Sequence, residues 1–175
     1  MAVLGSAVAL LGALLVVNLI LTYGIIRKLA TLGPARPAGP IDAGSVGTAA
    51  GPFAVRATDG GMLAREDLPE GALVGFFSPG CEPCTELLPR FSAAVRRLRL
   101  PQDRVLAVVG PGPGEERAYT DELDGLARVV AGDQADAVVA AFGVTGYPVV
   151  CRVASDGTLT VVDRDLRGLD ALVAG

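Results

Sequence analysis

ALVGFFSPGCEPCTELLPRF, residues 72–91, decides how the rest of the chain is read. Its first third, Ala72 to Phe77, is a continuous apolar run, the pattern of a strand buried on both faces. Its last part opens a segment, Glu82 to Leu98, in which Leu87, Leu88, Phe91, Val95 and Leu98 recur at helical spacing with arginines between them. Between strand and helix stand Cys81 and Cys84, with two residues between them and Pro83 suited to a first helical turn where its missing N–H costs little. A helix N-terminus offers unpaired N–H groups and the positive end of the helix dipole, and both stabilise a thiolate. Cys81 is therefore the expected nucleophile, and Cys84, one turn inside, is placed to resolve a mixed disulfide. The alternatives are half a zinc site or two inert buried thiols. Zinc needs four ligands, and only Cys151 remains in a chain without histidine.

Working outward, strand-like and helix-like runs alternate. Phe53 to Thr58 reads as a strand, and Asp59, Gly60 and Gly61 as a turn into Met62 to Ala64. Beyond the 82–98 helix, Arg104 to Val109 is a second buried strand, and the Gly/Pro run at 110–114 breaks the chain before a helix from Glu115 to Leu126. Arg128 to Ala131 is a short strand, and Asp133 is the expected cap of a helix reaching Phe142. Pro148 to Ala154 and Thr158 to Asp163 form a hairpin about Asp156 and Gly157, and Asp165 to Val173 closes as a helix. The pattern predicts an α/β fold with a mixed central sheet flanked by helices.

Upstream, Ala2 to Ile26 carries no charged side chain. At about 1.5 Å per residue it reaches roughly 37 Å, against a bilayer core of about 30 Å, and it lacks the positive start and short apolar stretch of a cleaved signal. It is expected to be an uncleaved transmembrane helix in contact with the lipid bilayer. Residues 27–51, with Gly and Pro dense from Gly33 onward, read as a tether. Residues 52–175 read as the globular domain.

Composition excludes much else. Histidine is absent, which removes Ser-His-Asp and Cys-His hydrolases, His-ligated metals and imidazole acid–base work. A net charge of −4 with no basic stripe argues against nucleic acid. Cys151, in an expected core strand, reads as a small buried hydrophobe. Arg96, Arg97 and Arg99 read as a solvated helix face. Glu115, Glu116, Asp121, Glu122 and Asp124 lack the ordered spacing of a calcium loop and read as solvated charge. No metal site and no cofactor is expected.

The motif run resembles thioredoxin-fold proteins: Phe76 to Cys84 stands where that family has its strand and CxxC, and Pro89 where a proline kinks its active-site helix. Gly146, Tyr147 and Pro148 stand where it has its cis-proline loop. The front hairpin and the anchor resemble the TlpA/ResA-type membrane-anchored thiol–disulfide oxidoreductases. The string from Ser78 to Pro89 is also similar to MauD-like accessory proteins. The resemblance implies catalytic Cys81 and Cys84, with Ser78, Pro79, Gly80, Glu82 and Pro83 as active-site neighbours. It implies that Tyr147 and Pro148 bind an extended substrate strand. It implies protein thiols or disulfides as partners, a membrane electron donor, and an extracytoplasmic domain. The basic residues Arg27, Lys28 and Arg36 after the anchor argue the other way for sidedness.

Departures from the family pattern are also visible. Gly80 replaces the usual tryptophan, Gly75 the buried acid of thioredoxins, and Leu87 the acid of ResA-type proteins, with Glu86 one position short. Glu82 beside the nucleophile opposes thiolate formation, which favours a reductant over an oxidant. A non-enzymatic assembly or metal-chaperone module is one rival reading. A peroxiredoxin-like peroxidase is the other: Ser78 fits its pattern, but Val74 stands where it wants proline.

Overall fold

The computed structural model describes residues 48–162 together with Gly12 and Leu166. The expected anchor at 2–26 lies outside the described residues apart from Gly12. Residues 27–47 of the tether lie outside them, as does the closing helix at 165–173 apart from Leu166. Among the described residues no helix is long and apolar enough to cross a membrane.

A front hairpin pairs β1 (Ala54–Arg56) with β2 (Met62–Ala64), setting Val55 opposite Leu63. The central sheet contains β3 (Leu73–Phe77), β4 (Val105–Val109), β5 (Arg128–Ala131), β6 (Val149–Val153) and β7 (Leu159–Val161), in the order β5-β4-β3-β6-β7. β3, β4 and β5 run parallel, while β6 and β7 are antiparallel additions. Helix α1 (Glu82–Leu98) crosses over from β3 to β4, α2 (Glu116–Leu123) from β4 to β5, and α3 (Asp133–Ala141) follows β5.

Two clusters cover the two faces, which is why β3 and β4 are apolar at every position. Leu73 and Phe77 point to the face covered by α1 and α2, against Leu87, Phe91, Val95, Tyr119 and Leu123. Val74 and Phe76 point to the other face, against Ala135 and Val138 of α3, Phe142 at its C-cap, and Val55 and Leu63 of the hairpin. Aromatic pairs pin each layer: Phe77 and Phe91 meet edge-on with centroids 5.4 Å apart, and Phe76 and Phe142 are tilted at 5.1 Å. The mixed α/β sheet is thus as the sequence predicts.

Several boundaries differ. β1 is shorter than the 53–58 run, because Ala57 already belongs to the turn: its N–H donates to the Gly61 carbonyl at 2.9 Å and its carbonyl accepts the Gly60 N–H at 3.0 Å. Helix α2 ends at Leu123, before the turn at Asp124 and Gly125, so Leu126 is not helical. The cap of α3 is Gly132, not Asp133, and its N–H donates to Glu116 at 3.1 Å. The end of the expected tether is docked. Ala49 bridges to Thr158, the Leu159 N–H donates to the Thr48 carbonyl, and the Gly51 N–H donates to the Ala141 carbonyl at 2.7 Å. Leu166 is buried, with a left-handed φ of 53°.

Candidate functional site

The site stands at the C-terminal end of β3, where the chain turns into α1. Cys81 is the helix N-cap, and its carbonyl accepts the N–H groups of Cys84 at 3.0 Å and Thr85 at 3.1 Å. Pro83 falls in the first turn, where no N–H is needed. Pro89 lies inside α1 and deprives Thr85 of its usual i+4 donor, yet the helix continues through to Leu98. Cys81 is half-buried and Cys84 fully buried, and neither is in a disulfide. The pair is therefore ordered by access, with one sulfur at the surface and the other beneath it.

Opposite the pair, the Tyr147–Pro148 peptide is cis, and the Cys81 thiol donates to the Tyr147 carbonyl at 3.8 Å. Pro148 is buried and Tyr147 half-buried. The Tyr147 hydroxyl lies over Gly110, filling the space a side chain would need there. Burial foremost, then the charge of Asp136, then Cys84, holds this phenol above its ordinary range. Tyr147 and Pro148, named from the sequence, thus face the cysteines across the site.

The other neighbours divide. Glu82 and Pro83 are exposed, so the carboxylate stands in solvent. Pro79 is buried. Ser78 is 8% exposed, and its hydroxyl donates to the Pro111 carbonyl at 2.6 Å. Gly80 has a φ of 82°, and a side chain on it would meet Pro113 Cγ at 2.8 Å. A tryptophan there is excluded by conformation and by space alike.

Beneath the pair, Gly75 has no room for an acid. A single methyl group would sit 2.8 Å from the Phe77 ring and 3.1 Å from that of Phe91. Leu87 is buried and Glu86 exposed. Aromatic rings therefore take the place of a buried carboxylate. Cys151 lies in β6 within the opposite cluster, paired in register with Val74. Burial pushes its thiol up to about 12.

Three of the charged residues read as solvated have local contacts. Glu116 accepts the Gly132 N–H, and Glu122 pairs with Arg96 at 3.5 Å on the surface. Among the described residues no three metal-ligating side chains gather.

Two contacts escaped sequence reading. Thr85 and Tyr119 share a hydrogen bond at 3.1 Å, joining the first turn of α1 to α2. The 110–114 run, expected only as a break, packs against the turn before Cys81. Its alternation of glycine and proline marks a tight loop but not what that loop touches.

No family model and no curated protein matches the chain. Solved structures do. A thiol:disulfide interchange protein from Bacteroides sp. is 14% identical, with 74% of this chain and 91% of that one covered, at a TM-score of 0.53. A thio-disulfide isomerase from Thermus thermophilus is 19% identical over 74% and 95%, at 0.54. MTB DsbF is 23% identical over 69% and 94%, at 0.51. These neighbours are thioredoxin-fold thiol–disulfide oxidoreductases, and the likeness gives the described domain their fold.

Proposed function

We propose that the chain exchanges disulfides with protein substrates through Cys81 and Cys84, as a thiol–disulfide oxidoreductase that acts chiefly as a reductant. The observation that carries the exchange is the pair's arrangement: Cys81 half-buried at the N-cap of α1, its thiol 3.8 Å from the Tyr147 carbonyl, and Cys84 buried one turn inside. The direction rests on Glu82 alone, beside the nucleophile. The Cys81 thiolate would attack one sulfur of a partner's disulfide, and the departing sulfur would take up a proton as a thiol. The Cys84 thiolate would then attack Cys81 Sγ, closing the Cys81–Cys84 disulfide and releasing the partner's second thiol. The partner gains two electrons and the pair loses them. Tyr147 and Pro148 would line the path of the partner's extended strand.

The apolar stretch at 2–26 supports a membrane tether, and the resemblance to anchored relatives supports an extracytoplasmic domain recharged by a membrane electron donor. In the full chain, equilibrated in graded thiol buffers and trapped by alkylation, the pair should titrate near or below about −250 mV. A value near about −120 mV would reverse the direction of electron flow. Failure to form a Cys81–Cys84 disulfide would overturn the reading.

A further inference from the structure

Resting on that reading of Cys81, we propose that the 110–114 loop, latched by the Ser78 hydroxyl, is a positioning element that holds the turn presenting the Cys81 sulfur. The Ser78 hydroxyl donates to Pro111, which is 33 positions away in the chain, at 2.6 Å. The carbonyl of the same residue accepts the Cys81 N–H at 3.2 Å. One residue thus both anchors the distant loop and closes the turn that ends at the nucleophile.

The two segments interlock at backbone distance. A methyl group on Gly112 would overlap the Pro79 carbonyl oxygen, and one on Gly114 would lie 2.9 Å from the Pro79 carbonyl carbon. From the other side, one on Gly80 would strike the ring of Pro113. The loop therefore stands where a side chain at position 80 would stand, and it is rigid where it touches, with Pro111 and Pro113 fixing two of its φ angles.

The sulfur at a helix N-cap must stay close to the N–H groups that favour its anion and to the Tyr147 carbonyl opposite. Reactive geometry of this kind is sensitive to displacements of about 1 Å. A turn held only by its own 3.2 Å hydrogen bond would let the sulfur drift. The latch and the glycine contacts supply the second hold. Ser78 touches no reacting atom in this arrangement and acts through the position of Cys81.

The test is alkylation of the fully reduced full chain by iodoacetamide over a pH series, with each cysteine quantified separately by peptide mass spectrometry. Ser78→Ala should slow Cys81 alkylation about fivefold at neutral pH, the effect of one buried hydrogen bond, and move its pH profile. Cys84 and Cys151 should stay protected, and Ser78→Thr, which keeps the hydroxyl, should restore the wild-type profile. Gly114→Ala, whose added methyl group meets Gly80 and Pro79 rather than Ser78, should reproduce the slowing; if it does not fold, Ser78→Ala alone decides. An unchanged Cys81 profile in Ser78→Ala overturns the proposal. So does a uniform rise at all three cysteines, the mark of general loosening. Oxidising the wild-type sample separates the two readings: absence of a Cys81–Cys84 disulfide would refute the redox function, whereas the alkylation profiles judge the latch by themselves.

Discussion

Each face of the central sheet buries one thiol, Cys84 on the inner side of α1 and Cys151 beneath the layer of α3 and the hairpin. The two are equally hidden, at 0% and 2% exposure. Cys84 sits in the first turn of a helix, three positions from a half-buried second sulfur and within electrostatic reach of Tyr147. Cys151 sits in mid-strand among Val74, Val153 and Leu159, where nothing favours its anion. On the proposed function, burial does not separate the resolving thiol from the inert one; the backbone around it and its neighbouring sulfur do.

The comparison breaks most directly by deletion. Cys81→Ser should drop exchange with a protein disulfide to the uncatalysed rate, while Cys151→Ala should leave that rate within about twofold, as expected of a thiol that does no chemistry. Insulin reduction under identical donor conditions reads both. A comparable loss in Cys151→Ala would show that the second face takes part.

A smaller effect tests the packing under the pair. Gly75→Asp forces a carboxylate against the Phe77 and Phe91 rings, and should cost about 3 kcal/mol through overpacking and an unpaired buried polar group. Urea unfolding measures it. A variant that keeps its midpoint and exchanges faster would mean that the layer yields to an acid after all.

The smallest effect is alkaline. The Cys151 thiol goes from an ordinary 9.0 to about 12 in the folded protein. Below about pH 9 both states hold the proton and stability is unaffected. From there to about 12 the unfolded chain ionises while the folded one cannot, so stability falls by up to about 1.4 kcal/mol per pH unit. Cys151→Ala should remove that part of the decline between denaturation curves taken at pH 8.5 and 10. A slope identical to wild type would place the Cys151 thiol in a wetter setting.

What could be read from the sequence follows the range of each interaction. Helix α1 and strand β5 appear at the expected residues, because amphipathic spacing and the breakers beside them are local. Cys81, Cys84 and Pro148 are legible because a motif specifies them. The end of α2 is not legible, because apolar Leu126 extends the helical pattern past Gly125, and the turn there overrides it. The filling of Gly75 by Phe91 and the seat of the 110–114 loop on Pro79 join residues far apart in the chain. Nothing local announces them.

The docking of Thr48 and Ala49 on the start of β7 has a practical side. A three-residue strand at the margin of a sheet presents unpaired backbone groups, an invitation to another chain. Here the Thr48 carbonyl takes the Leu159 N–H, and Ala49 bridges Thr158, so this stretch is already capped by the protein's own upstream segment. A soluble fragment begun at residue 52, where composition alone would cut, strips that cap and bares a sticky margin. The cleaner cut falls ahead of Thr48.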